Sequence, residues 1–151
     1  MTDLTLDTAR KILDAALAKA GELKLKPLVV TILSFGFKHG IPVDSDLLFD
    51  VRFLPNPHFV PKLRAHTGRD PEVRRFLDQS TATKEFLDKT LALLRFLVPQ
   101  YVAEGKTYLT IGIGCTGGRH RSVAIAEALR KGLTGLRGVQ MRVRHRDIAV
   151  D

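Results

Sequence analysis

From Asp3 to Leu23 the apolar residues Leu6, Ala9, Ile12, Leu13, Ala16, Leu17 and Ala20 recur at three- and four-residue intervals. That is the period of an amphipathic helix. Asp3 or Thr5 is placed to cap it, Gly21 stands near its end, and the stripe predicts packing on a sheet. The pattern then changes. Leu28-Val29-Val30-Thr31-Ile32-Leu33-Ser34-Phe35 is β-branched and apolar on both faces, which predicts a buried strand. Leu47 to Leu54 predicts a second strand, on which Asp50 and Arg52 share a face and can form an ion pair. Asp70 as N-cap and Pro71 at the first helical position open a short helix running to Gln79. Ser80 or Thr81 caps a longer helix from Ala82 to Glu104, striped by Phe86, Leu87, Leu91, Leu94, Leu97, Val98 and Tyr101. Pro99 should kink it or end it early. Lys106 to Gly114 predicts a third strand. The residues from Val123 to Leu129 are apolar nearly all round, so that helix is buried. Gly138 to Ile148 predicts a last strand, with Val139, Met141 and Val143 on one face and Gln140, Arg142, Arg144 and Arg146 on the other.

Strands separated by helices define an α/β protein with a mostly parallel or mixed sheet flanked by helices. No repeat, low-complexity run or linker divides the chain, so it reads as one domain: an N-terminal helix over residues 1–25 and an α/β core over 27–148. In open α/β sheets the ligand lies beyond the carboxyl ends of the strands. The loops after Phe35, Leu54 and Gly114 should therefore gather around the site. In the first of them Lys38 and His39 are placed where they could contact an anion, although a solvated loop is the simpler account of both. In the second, Pro55-Asn56-Pro57-His58 is stiff and holds out Asn56 and His58. Pro61 to Arg69 is polar and irregular, in the position of a lid.

Composition narrows the class. Hydrophobic residues make up 44% and charged residues 26%, as in soluble globular domains. A single cysteine excludes an internal disulfide framework and fits a reducing compartment. With five scattered histidines it does not make a zinc site, and no metal or cofactor is implied. No basic segment precedes an apolar run at the start, and no run is long enough to span a bilayer, so the expected location is cytoplasmic. The net charge is +8, and Gly118 to Asp151 holds +5 of it. A polyanion partner and a solvated basic surface account for that equally well.

The richest chemistry lies in Ile111-Gly112-Ile113-Gly114-Cys115-Thr116-Gly117-Gly118-Arg119-His120-Arg121-Ser122, a strand end, a glycine-rich turn and a helix start. A helix N-terminus presents N–H groups and partial positive charge to an anion. Gly117 and Gly118 allow positive φ and close approach of a ligand, and Arg121 can fork onto a phosphate. Three readings follow: a plain tight turn, a phosphate-binding loop without chemistry, and a cysteine phosphatase. The last rests on the C-x5-R-[ST] spacing of Cys115, Arg121 and Ser122, with Cys115 as nucleophile. Its general acid would be Asp44, Asp46 or Asp50, among which the sequence does not choose. The G-x-x-x-x-G-K-[ST] loop is absent, and Gly112 to Gly117 spells G-x-G-x-x-G without the acidic residue that a ribose needs.

Three motifs together resemble one family. Phe35 to Pro42, Phe49 to His58 and Gly112 to Ser122 are similar, in order, to the C-terminal domain of the RapZ (YvcJ) family of RNase adapter proteins, and the likeness covers Pro27 to Arg146. Family members also carry an N-terminal P-loop domain, which this sequence lacks; it resembles a stand-alone or excised C-terminal domain. The resemblance implies a phosphofructokinase-subdomain-like fold, binding of the amino-sugar phosphate glucosamine-6-phosphate, and binding of small regulatory RNAs. By position it places sugar-phosphate contacts on His58, Thr116, Gly117 and Arg121. It places RNA contacts on Arg119, His120 and the basic C-terminal part, here Arg142, Arg144 and Arg146. Arg119 stands where the family can have Lys, and the basic tail is short.

The resulting expectation is a regulatory binding module rather than an enzyme. Its pocket is built from Thr116, Gly117, Gly118, Arg121 and Ser122, with Asp50, Arg52, Asn56 and His58 completing the wall. RNA, an RNase or another protein, and further copies of the chain are the expected partners.

Overall fold

The computed structural model describes residues 5–22 and 26–150. Helix α1 spans Leu6–Glu22, strand β1 Leu28–Gly36, β2 Leu47–Asp50, α2 Pro71–Asp78, α3 Thr81–Glu104, β3 Tyr108–Cys115, α4 Arg121–Gly132 and β4 Val139–His145. Single 3-10 turns lie at Phe37–His39 and Pro57–Phe59. The four strands form one sheet in the order β2-β3-β1-β4, parallel throughout. β1 sits inside, with Ile32 opposite Ile111 of β3 and Val143 of β4.

Helix α4 lies across β1, β3 and β4, with α3 beside it and α1 on the outside of α3. The core is the helix-facing side of the sheet: Val30, Ile32, Leu109, Ile111 and Ile113 pack with Leu94 and Val98 of α3 and Ile125 and Leu129 of α4. Burial of each such side chain stabilises the fold by about 1.5–3 kcal/mol. On the other side of the sheet Val29, Thr31, Leu33 and Thr110 are half-buried, and Gln140, Arg142 and Arg144 are exposed.

Five local expectations differ from the structure. Strand β2 stops at Asp50 instead of Leu54, because the Asp50 carboxylate turns back to accept the Arg52 N–H at 2.9 Å and the chain bends into a Val51–Leu54 turn. Strand β4 stops at His145, where Ser34 Oγ lies 2.7 Å from its Nδ1 and Glu127 Oε1 lies 2.9 Å from its Nε2. Of the two outcomes expected at Pro99 the early end does not occur: helix α3 runs through it to Glu104 and a left-handed Gly105. Buried Leu94 and Val98 before the proline and half-buried Tyr101 after it hold both sides on the core. Helix α1 packs mainly on α3 rather than on the sheet, whose helical face α4 already occupies; of the stripe residues whose burial is described, Ala9, Leu13 and Leu17 are half-buried and Leu6, Ile12 and Ala16 are exposed. Asp70 stands at the N-cap of α2 but its carboxylate accepts the Thr67 N–H at 2.6 Å instead of capping. Ser80 and Thr5 do cap, accepting the N–H groups of Thr83 and Thr8. Asp3 and Leu23 lie outside the described residues. No helix among the described residues is long and apolar enough to cross a membrane.

Candidate anion-binding site

The strands all point their carboxyl ends the same way, so the segments that follow them converge. Between them is an open cleft of about 760 Å³. Its wall takes Lys38 from the segment after β1, Asn56, His58 and Phe59 from the segment after β2, and Cys115 to Gly117 with Arg119 to Arg121 from the glycine-rich loop. Arg64, Ala65 and Val150 complete it. Four of these residues are lysine or arginine, two are histidine, and none is a carboxylic acid.

Arg121 organises the floor. Its residue is only 5% exposed. Nη1 donates to the main-chain oxygens of Arg52 at 2.6 Å and Leu54 at 3.1 Å, and Nη2 donates to Thr116 Oγ1 at 3.3 Å. Nε is buried without a hydrogen-bond partner. Burial lowers the pKa of the guanidinium, and the neighbouring Cys115 sulfur works in the opposite direction. Arginine remains charged at any working pH, so the cleft floor carries a buried positive charge.

Cys115 ends β3 beneath this group. Its sulfur accepts the Gly118 N–H at 3.3 Å and lies 3.1 Å from Ser122 Oγ. Gly118 has φ +79°, as its place in the tight turn requires. Gly117 does not share the positive φ expected of it. Instead Gly36 provides the close approach: a Cβ there would lie 2.5 Å from the Gly117 carbonyl carbon.

The neighbouring cations are fasteners as well as wall. Arg119 donates to the carbonyls of Ala65 at 2.8 Å and His66 at 3.1 Å, and the ring of His120 lies 3.2 Å from the Arg64 carbonyl. Gly68 N–H donates to Arg119 O. The polar segment 61–69, read from sequence as a lid, is thus tied to the glycine-rich loop. Burial lowers the pKa of His120, against hydrogen bonds to the Arg64 and Leu63 backbone.

A family model described as the RapZ C-terminal domain matches residues 28–149. The chain belongs to that family. Relatives of this RapZ C-terminal domain include proteins named nucleotide-binding protein from Geobacter sulfurreducens, 54% identical over 127 residues, and Rubrobacter xylanophilus, 58% identical over 124. The matches cover 84% and 80% of this chain but 44% and 41% of the relatives. A third, from Agathobacter rectalis, is 46% identical over 96% of this chain and 54% of its own length. The chain therefore spans about half the length of the curated relatives it matches.

The sequence-predicted residues of this RapZ C-terminal domain separate into three groups. Asn56, His58, Thr116, Gly117 and Arg121 share the cleft wall. Asp50, Arg52, Gly118 and Ser122 do not line it. Arg52 pairs with Asp50 at 2.7 Å, which holds the Asp50 carboxyl below the usual range, and lies over the Phe37 ring at 4.0 Å. Of the RNA set, Arg119 and His120 line the cleft, and Arg142 and Arg144 are exposed on β4. Arg146 leaves the ladder: it donates to the carbonyls of Gly36 and Gly40, pairs with Asp147 at 2.8 Å, and lies over Phe35. Lys38 lines the wall, the less favoured of its two sequence readings, while His39 does not; Phe59, Arg64 and Val150 were not expected there. The only sequence signal for Lys38 was its place just beyond a buried strand. Among the described residues, no three His, Cys, Asp or Glu side chains group to hold a metal ion.

Asp147 fixes the back of the cleft. Its carboxylate accepts the Gly36 N–H at 2.7 Å as well as the Arg146 guanidinium. Burial opposes its charge, but Arg146 and the Gly36 N–H win and lower its pKa. A depressed carboxylate stabilises the fold above its unfolded pKa, and that contribution is lost as pH falls through the folded value. Asp147→Ala should cost about 2–3 kcal/mol at pH 7. In urea melts the difference from wild type should shrink as pH drops below about 4.

Proposed function

We propose that the cleft binds a phosphorylated sugar, of the amino-sugar phosphate class to which glucosamine-6-phosphate belongs, and that the domain senses it without transforming it. The observation that carries this reading is the charge of the wall: Lys38, Arg64, Arg119 and Arg121 with no carboxylate among the lining residues. Asn56, His58 and Thr116 supply neutral or titratable polar groups for sugar hydroxyls. The occupied cleft changes what the domain offers to RNA or to an RNase partner, since Arg119 and His120 both line it and fasten segment 61–69. Exposed Arg142 and Arg144 support backbone contacts to RNA. The nucleotide named for the relatives is not assigned to this cleft, because the chain has no G-x-x-x-x-G-K-[ST] loop.

A thermal-shift series tests the reading, with glucosamine-6-phosphate, other sugar phosphates, UDP-sugars and inorganic phosphate. A ligand at a hundred times its Kd stabilises by about 2.7 kcal/mol. For a domain of this size that raises the melting temperature by about 5–10 °C. A shift selective for amino-sugar phosphates supports sensing, and no shift with any of them overturns it.

The second reading is a cysteine phosphatase using Cys115 and Arg121, favoured by the sulfur's contacts with Gly118 N–H and Ser122 Oγ. Against it, Asp50 is paired with Arg52, Asp46 accepts the Thr110 N–H, and none of Asp44, Asp46 and Asp50 lines the cleft as a proton donor. Release of inorganic phosphate from p-nitrophenyl phosphate, abolished by Cys115→Ser, would favour the enzyme; a silent assay with intact sugar-phosphate binding in Cys115→Ser favours the sensor.

A further inference from the structure

We propose that the face of the sheet turned away from helix α4 is a docking surface for an acidic amphipathic helix of a partner protein.

The fold leaves that face without a helix. Helix α4 lies across β1, β3 and β4 on one side, with α3 beside it and α1 outside α3; among the described residues no helix crosses the other side. Sheets that are parallel throughout are ordinarily covered on both faces. Here the cover is partial. Toward the carboxyl ends of the strands Ser45, Phe35 and Phe37 pack over β3. A Cβ on Gly112 would lie 2.8 Å from Ser45 Oγ, and one on Gly114 would lie 2.5 Å from both rings. Nearer the amino ends the register lays out an open patch. Val29 stands between Tyr108 and Gln140, Thr31 between Thr110 and Arg142, and Leu33 between Gly112 and Arg144. Val29, Thr31, Leu33 and Thr110 are half-buried, Gln140, Arg142 and Arg144 are exposed, and Tyr108 is 70% exposed. None of these residues lines the anion cleft.

Charge selects the occupant. Arg142 and Arg144 flank the patch on edge strand β4, and neither makes an ion pair or a side-chain hydrogen bond among the described residues. The carboxylates at the opposite edge are committed: Asp46 pairs with Lys106 at 3.1 Å and Asp50 with Arg52 at 2.7 Å. A second copy of the chain laid face to face therefore brings neither of them free to the arginines, and pairing β4 edge to edge would set like charges against each other. A nucleic-acid backbone would use the arginines but leave Val29, Thr31 and Leu33 uncovered. An acidic amphipathic helix satisfies both halves of the patch. Arg142 and Arg144 are about 6.6 Å apart along the strand, and carboxylates at i and i+4 of a helix are about 6 Å apart along its axis. An apolar stripe at i, i+4 and i+8, about 12 Å long, matches the roughly 13 Å from Val29 to Leu33. Such a helix takes the same two arginines as the RNA backbone contacts of the sensing model, so helix and RNA exclude one another there.

The test titrates fluorescently labelled helical peptides of about 18 residues with the purified chain and reads anisotropy. One peptide carries a leucine stripe at i, i+4 and i+8 flanked by glutamates at i, i+4 spacing. A second has the same composition in scrambled order, and a third has lysines for the glutamates. Each is repeated with Arg142→Glu/Arg144→Glu and with Arg130→Glu/Lys131→Glu, which reverses two charges at an exposed stretch of α4. The acidic amphipathic peptide should bind about tenfold or more tighter than its scrambled form, and lose about tenfold or more with Arg142→Glu/Arg144→Glu but not with Arg130→Glu/Lys131→Glu. The lysine peptide should bind only the Arg142→Glu/Arg144→Glu chain, which also shows that this variant is folded. Equal binding of the acidic and scrambled peptides, or equal losses in the two double variants, reduces the effect to net charge and overturns the proposal. A different occupant overturns it too: a dimer in sedimentation that Arg142→Glu/Arg144→Glu dissolves, or an oligouridine held by those arginines while the acidic peptide does not bind.

Discussion

Arg121→Ala is expected to lower the melting temperature by about 6–12 °C in anion-free buffer and to abolish the sugar-phosphate shift. The guanidinium ties the Arg52 and Leu54 carbonyls to the start of α4 and reaches Thr116 on the glycine-rich loop. Removing it leaves carbonyls without their charged donor and opens a void beneath the cleft. About 3 kcal/mol is the scale of that loss. Arg121→Lys separates the two roles. A lysine keeps the positive charge but cannot serve both carbonyls and Thr116 in one planar fork. It should recover part of the ligand shift and less of the stability. Calorimetric melts of the three chains, each with and without glucosamine-6-phosphate, check both statements. Unchanged stability in Arg121→Ala would show that the carbonyl ties carry no weight.

Gly118→Ala, just outside the cleft wall, should be strongly damaging because it combines a positive φ with close packing. At φ +79° a side chain is strained wherever it points. The added Cβ would lie 2.6 Å from the Gly36 nitrogen, 2.8 Å from Asp147 Cβ and 2.9 Å from the Phe35 carbonyl carbon. The loop must shift against two distant segments, at Phe35–Gly36 and at Asp147, and overpacking adds to the conformational penalty. The sum is about 3–4 kcal/mol, a large share of what holds a domain folded. Two controls separate the causes. Gly135→Ala has the same backbone problem at φ +90° but no atom within 4 Å, so about 1 kcal/mol is expected. Gly117→Ala meets nothing nearer than Lys38 Cε at 3.9 Å and should fold normally. Chemical denaturation of the three variants orders them, and near-equal losses at Gly118 and Gly135 would remove the packing argument.

The regular elements were legible because burial imposes period. The apolar run of β1 read as a strand buried on both faces, of which the structure buries Val30 and Ile32 and half-buries Val29, Thr31 and Leu33. The all-round apolar face of α4 read as buried, and a mostly parallel or mixed sheet followed from helices between strands. The misses came where a side chain binds its own backbone. The strand read on to Leu54 stops at Asp50, whose carboxylate takes the Arg52 N–H. Asp70 looked like a cap but serves Thr67. Arg146 alternates correctly for an exposed ladder yet turns inward to Asp147 and the Gly36 carbonyl. Within the cleft, the glycine-rich loop and His58 could be read as one site because each follows a strand. Arg64 and Val150 could not, since their place depends on how segment 61–69 and the residues after β4 fold back. The sequence reading also gave the anion-gripping role to Gly117 and Gly118 together, whereas the Gly118 N–H is already taken by the Cys115 sulfur.

The clamp at Asp147 also sets where the chain leaves the cleft. Val150 forms part of the cleft wall, three positions beyond the residue that holds the Gly36 N–H, and its own N–H donates to Asp147 O at 3.2 Å. Anything joined by a short flexible linker at that end is tethered at the mouth, at an effective concentration in the millimolar range. A fluorophore attached there would report occupancy, and an acidic peptide fused there would act as an intramolecular competitor. The same attachments at the start of α1 would hang from the far side of α3 and do neither.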